Sequence, residues 1–257
     1  MWHQITSYFK FLLKSKNQHG VHSPFVFDLL TKCFYDTKKY PAYKTLKVYR
    51  NKTIQNKKLI SIRDFGADSQ IVKSNKKKVT TIAKNKETTF KKQQLLYRVI
   101  SYFKPDTILE LGTSLGLGTV AMAFANPSSK IITLEACLNT SKLAQSYFKE
   151  FELKNIHLQN SSFEDFFKPK SSEKYDVVFI ARNDRKEDIV SYFYMLLDKT
   201  NNDSLLIFND IYWNTEMTEA WNQIKEHPKV TLSIDTYYWG LLFFRIEQEK
   251  QHFTIRV

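Results

Sequence analysis

Glycine is scarce in this chain of 257 residues: there are six, and Gly112, Gly116 and Gly118 all fall in one stretch, TILELGTSLGLGTV. Cysteine is scarcer, and Cys33 and Cys137 cannot make a disulfide framework. No run approaches the ~18 consecutive apolar residues that a membrane-crossing helix needs. The opening segment MWHQITSYFKFLLKSK has Lys10 inside its apolar part and no small-residue cleavage site, so it does not read as a signal peptide. Its apolar residues Trp2, Ile5, Tyr8, Phe9 and Leu12 follow a helical period instead. A helix docked on the domain is the simpler reading, and a membrane-surface anchor is the alternative. A cytoplasmic protein is the natural default. The apolar content of 42% suits a globular chain of one large or two small domains.

Acidic residues are nearly missing from one region. Between Asp36 and Lys92 there are 17 Lys+Arg against 4 Asp+Glu, and the rest of the chain holds 22 of each (39 − 17 and 26 − 4). The whole net charge of +13 therefore belongs to that segment. Such a segment attracts anionic partners or simply forms a solvated surface. Tyr40, Tyr43 and Tyr49 are too scattered for a base-stacking platform. The pattern predicts two helices up to about residue 35, the second starting at Ser23 with Pro24 in its first turn. Residues 36–89 read as an irregular basic insertion, with LISIRDFGA as a short strand candidate. The predicted organisation is a helical leader and lysine-rich cap over 1–89, followed by a domain over 90–257.

From Phe90 onward strands and helices alternate: KKQQLLYRVISYF, TILELG, VAMAFA, KIITLEA, Asn139–Phe151, NIHLQN, YDVVFIA, Asp184–Leu197, DSLLIFND and Thr215–Glu226. This order implies an α/β fold, a doubly wound and mostly parallel sheet with helices on both faces. VTLSIDTYY and LLFFRI flank Trp239-Gly240 with no room for a helix, which predicts a hairpin and an antiparallel last strand.

In an open α/β sheet, ligands bind beyond the carboxyl ends of the strands. The glycine stretch follows a strand ending at Glu110, so it lies where a ligand would sit. Its spacing, G-x-x-x-G-x-G, is neither the dinucleotide fingerprint G-x-G-x-x-G nor a phosphate loop, which would carry Lys-Ser/Thr. Glu110, Gly112 and Gly116 instead resemble the E-x-G-x-x-x-G motif of class I S-adenosylmethionine-dependent methyltransferases, over roughly residues 90–247. The resemblance implies that the turn wraps the methionine part of S-adenosylmethionine, with Thr113 and Ser114 as hydroxyl partners for its carboxylate. It implies that Glu135, closing the next strand, accepts hydrogen bonds from the ribose hydroxyls. Ser162 and Phe163, after the third strand, are then the adenine-framing candidates. It also implies a seven-stranded sheet whose last strand is antiparallel.

The FI and ND stretches are similar to those of the catechol and caffeoyl O-methyltransferases, a group that holds a divalent cation with an Asp after the fourth strand and an Asp-Asn pair after the fifth. Here Ala181 takes the first place, counted instead with the cofactor-binding positions, and the pair is inverted to Asn209-Asp210. Asp176 lies at the wrong edge, and Asn183 or Asp184 would need a loop shift. No metal site is expected. Asp210 is the candidate general base. Tyr212 and Trp213 could line an acceptor pocket, and Arg182 and Arg185 could bind an anionic acceptor. His19 and His22 have the right unperturbed pKa for a base, yet nothing in the sequence places them near the site.

The expectation is a metal-independent methyltransferase for an oxygen or nitrogen atom of a small molecule. The alternatives are a nucleic-acid methyltransferase using residues 36–92, disfavoured by the lack of an N-P-P-Y-like motif, and a non-catalytic cofactor-binding protein. A nicotinamide-dependent oxidoreductase comes last.

Overall fold

In the computed structural model, the residues described are 2–63, 74–85, 88–168, 172–181 and 185–257. The helices are α1 (Trp2–Lys14), α2 (Pro24–Leu29, continued by a π-helical turn, Leu30–Phe34), α3 (Ala42–Gln55), α4 (Val79–Asn85), α5 (Phe90–Phe103), α6 (Leu117–Ala125), α7 (Leu138–Glu150), α8 (Phe163–Phe167), α9 (Lys186–Leu197) and α10 (Thr215–Lys225). The strands are β1 (Leu59–Arg63), β2 (Ser74–Lys78), β3 (Thr107–Leu111), β4 (Lys130–Leu134), β5 (Ile156–Gln159), β6 (Val177–Ile180), β7 (Leu205–Asn209), β8 (Leu232–Asp235), β9 (Trp239–Phe243) and β10 (Gln251–Thr254). Strands β1 and β2 form an antiparallel hairpin, and the other eight make one sheet in the order β10-β8-β9-β7-β6-β3-β4-β5.

The chain forms two compact units, and β3 contributes to both: Thr107–Leu109 to the first, Glu110 and Leu111 to the second. The first unit comprises Met1–Tyr35, Thr107–Leu109 and Pro169–Val257. Its core strands β6, β7 and β9 are buried along their whole length. That burial on both faces is why they read as continuous apolar runs rather than alternating ones. Ser23 caps α2 by accepting the Val26 N–H, with Pro24 at the first helical position, as the sequence predicts. The second unit, Asp36–Asp106 and Glu110–Lys168, holds the glycine turn and the strands β4 and β5, parallel and paired from Ile131–Ile156 to Leu134–Gln159.

The α/β class, the mostly parallel sheet and the antiparallel hairpin agree with the sequence reading: β9 runs antiparallel to both β7 and β8. Three details differ. The sheet has eight strands rather than seven, because β10 adds to β8 in parallel at the edge. Trp239 and Gly240 do not form the turn but open β9, paired with Asn209 and Phe208. The described residues of the basic segment are not irregular. They fold into α3, the β1–β2 hairpin and α4, with Leu46, Tyr49, Val79, Ile82 and Ala83 in the core. The residues that α3 buries are few (Leu46, Tyr49 and Thr53), so polar residues outweigh the helical period in the sequence.

Candidate functional site

The glycine turn is built by packing around a strand end. Gly112 sits at φ 103°, and the N–H groups of Gly112 and Thr113 both donate to Leu134 O of β4 at 3.0 Å. Gly116, at φ 80°, caps α6, and a Cβ there would stand 2.4 Å from the Phe148 ring and 2.9 Å from the Tyr49 hydroxyl. Positive φ and zero side-chain room both select glycine at this position. Ser114 takes a left-handed conformation as well, at φ 49°. Side chains from distant segments hold the turn: Tyr49 OH donates to Leu115 O (2.8 Å) and Gln93 Nε2 donates to Leu117 O (2.8 Å).

Beneath the turn lies a buried polar network. The Glu110 carboxylate, 1% exposed, accepts from the Thr119 and Thr133 hydroxyls at 2.5 and 2.6 Å, and Thr133 Oγ1 lies 2.6 Å from Thr113 Oγ1. A buried carboxylate is tolerable only with such partners. The Thr113 hydroxyl is therefore turned into this network, whereas Glu135 is half-buried at the carboxyl end of β4. Its two oxygens accept from Ser114 N and Cys137 N, each at 2.9 Å, so one carboxylate ties the glycine turn to the loop after β4. Asn160 Nδ2 donates to the main-chain carbonyls of Glu135 and Ala136, at 2.7 and 3.1 Å, which brings the loop after β5 to the same place. Ser162 caps α8: its hydroxyl accepts from Asp165 N and donates to Asp165 Oδ2. Phe163 is the first residue of that helix.

Gly112, Ser114, Gly116 and Glu135 are thus gathered at one turn, with Glu110 and Thr113 in its support. Sequence reading missed Tyr49, Gln93 and Asn160. The first two come from segments with no motif, while Asn160 sits in the QNSSFEDFF stretch beside the chosen Ser162.

In the other unit, Ala181 follows β6, and its carbonyl accepts from Asn209 Nδ2 at 2.6 Å. Asn209 Oδ1 accepts the indole N–H of the buried Trp239 at 2.8 Å. Asp210 follows at φ 56°, its N–H donating to Tyr238 O at 2.6 Å and its carbonyl accepting from Trp213 N. Tyr212 stacks on Tyr237 (centroids 5.2 Å apart, planes 14° apart) and donates to Asp235 Oδ2 at 2.6 Å. Burial, then the Asp235 charge, pushes the Tyr212 phenol far above its usual value, and burial also raises the Asp235 carboxyl. Trp213 is 39% exposed. Arg185 lies 4.0 Å from Asp188, and Asp176 Oδ2 accepts from the Thr107 N–H and hydroxyl at the amino end of β3. His19 and His22 are exposed. Arg182, Asn183 and Asp184 lie outside the described residues.

Residues 63–236, more than half of the chain, match the family model described as O-methyltransferase. The chain belongs to the O-methyltransferase family. It is accordingly an S-adenosylmethionine-dependent methyltransferase with the class I, Rossmann-like fold, as the glycine turn and the hairpin imply. The fold is shared with the SAH-bound methyltransferase PaMTH1 of Podospora anserina, at 14% identity and a TM-score of 0.62, over 88% of this chain and 97% of that one. It is also shared with the O-methyltransferase of Bacillus cereus in complex with SAH, at 14% identity and 0.56, over 82% and 94%. A third likeness is TomG of Streptomyces achromogenes, an O-methyltransferase of tomaymycin synthesis in complex with SAM, at 14% and 0.57, over 86% and 95%. No helix among the described residues is long and apolar enough to cross a membrane.

Ala181 and Asn209 stand at two of the positions where the likeness to the catechol and caffeoyl group places metal ligands. Among the described residues no three His, Cys, Asp or Glu side chains are grouped to hold a metal ion. Ala181 offers a methyl group, and the Asn209 oxygen is engaged by the Trp239 indole. A hard cation asks for several oxygen ligands, and Ala181 and Asn209 do not supply them, while Asn183 and Asp184 lie outside the described residues.

Proposed function

We propose that this enzyme transfers the methyl group of S-adenosylmethionine to a hydroxyl oxygen of a small cytoplasmic molecule without a metal ion. The observation that carries the reading is the Glu135 carboxylate fastened to the glycine turn at Ser114 N, in a chain of this family. Gly112, Ser114 and Gly116 would receive the methionine end of the cofactor, Glu135 the ribose hydroxyls, and Ser162 and Phe163 the adenine. Ribose binding would replace or share the bonds that Glu135 makes to the Ser114 and Cys137 N–H groups.

Methyl transfer from a sulfonium is an in-line displacement: the acceptor oxygen bonds to the methyl carbon as the carbon–sulfur bond breaks, and S-adenosylhomocysteine leaves. Alignment supplies much of the acceleration. The acceptor proton needs a base, and Asp210 is assigned that role. Its left-handed backbone is held by the bond from its N–H to Tyr238 O and by the one Trp213 donates back. Tyr212, committed to Asp235 and stacked on Tyr237, is assigned to acceptor positioning. Arg182 and Arg185 would suit an anionic acceptor.

Methyl transfer to a panel of hydroxylated small molecules, run with and without a chelator, tests this. Turnover unchanged by the chelator supports metal independence, and its loss refutes it. Asp210→Asn should lower kcat by about 10²–10⁴-fold with the cofactor Kd unchanged.

A further inference from the structure

Helix α1 has two apolar faces, and the fold covers one. Its inward side carries the buried Ser7 and Phe11, with Phe11 and Tyr8 packed on the Tyr237 ring at 5.5 and 4.9 Å and His3 bonded to Thr218. At about 100° per residue, Trp2, Ile5, Phe9 and Leu13 fall within an arc of about 80° on the opposite side. They are 78%, 44%, 63% and 89% exposed. Single apolar residues on a surface are ordinary, but four large ones in a line mark a contact surface. Lys10 lies at one edge of the stripe and Lys14 nearer the Ser7 side, both exposed, and the helix contains no Asp or Glu.

Immediately beyond the helix lies a cavity of about 750 Å³ whose lining, among the described residues, includes Lys16, Asn17, Gln18, Tyr35 and Arg256 and no carboxylate. Its shape is fixed by two main-chain bonds, Lys16 N to Thr254 O (2.8 Å) and Arg256 N to Lys16 O (3.1 Å), and by the Tyr35 hydroxyl donating to Arg256 O (2.8 Å). An ammonium, a guanidinium and two side-chain amides without an acid are a donor set for a phosphate.

We propose that α1 docks this protein on an anionic phospholipid surface. The Trp2–Ile5–Phe9–Leu13 stripe enters the acyl boundary, Lys10 at its edge lies at headgroup level, and Lys16 and Arg256 take a lipid phosphate. This is the physics of an interfacial amphipathic helix with a basic flank. Charge selects this occupant over a second copy of the chain, because a second α1 has no Asp or Glu to pair with Lys10, whereas an anionic surface supplies the opposite charge.

The test is co-sedimentation of the full chain with vesicles of phosphatidylcholine alone or mixed with phosphatidylglycerol. Binding to the anionic vesicles, weakened by salt, is expected. Phe9→Ser and Leu13→Ser, each made at an exposed position, should weaken it roughly tenfold or more without lowering Tm. Lys16→Gln and Arg256→Gln should each weaken it about fivefold. No vesicle binding, or equal binding to both compositions, overturns the proposal. So does self-association abolished by the same apolar variants without vesicle binding, or binding of inorganic phosphate alone.

Discussion

Gly116 combines a φ of 80° with a Cβ direction that ends 2.4 Å from the Phe148 ring. Gly116→Ala must displace that ring and strain the backbone, at about 1–3 kcal/mol of stability, and should weaken cofactor binding in parallel. Chemical unfolding alongside ligand titration checks both. Asp235 makes a different prediction. Burial raises its carboxyl above the ordinary 3.8, against the bonds from Tyr212 OH and Tyr237 N–H. The native state thus holds this proton more tightly than the unfolded chain does. The resulting stability is complete below the ordinary value and is lost as pH rises through the higher native value. Asp235→Asn, which retains an acceptor for Tyr212, should flatten that part of a stability–pH curve. At this scale the sequence showed the glycines and the acids but not their neighbours. No spacing reveals that Glu110 binds Thr119 and Thr133, because those contacts depend on strand packing.

Among the elements, β3, β4 and β6 through β9 were legible because strands buried on both faces leave unbroken apolar runs, as in VVFI and LLIFN. Helix α3 was hidden by its lysines. Its contribution is concrete all the same: Tyr49 reaches from α3 to Leu115 O in the glycine turn. Tyr49→Phe should cost about 0.5–1.5 kcal/mol, with a rise in hydrogen exchange at the amides of the turn. Equal exchange in both proteins would separate α3 from the site. The edge strand β10 went unread because QHFT is short and its pairing with Leu232–Asp235 is fixed by where the chain returns, not by its own pattern.

For the whole molecule, the sequence carried the fold class through its alternating order, and the cofactor through the union of Glu110, Gly112, Gly116 and Glu135. The acceptor was not legible, since its pocket depends on loops rather than on repeating patterns. The uneven charge was legible as a number, but its meaning was not: part of the basic segment is core, with Leu46 and Tyr49 fully buried. The central claim is that Glu135 and the glycine turn bind S-adenosylmethionine. Calorimetric titration of the wild-type chain and of Glu135→Ala tests it most directly. Binding of S-adenosylmethionine and S-adenosylhomocysteine but not NAD is expected, with a loss of about 10–100-fold in Glu135→Ala, the worth of hydrogen bonds to a charged acceptor. Unchanged affinity in the variant, or no binding of either sulfur nucleoside to the wild type, would contradict it.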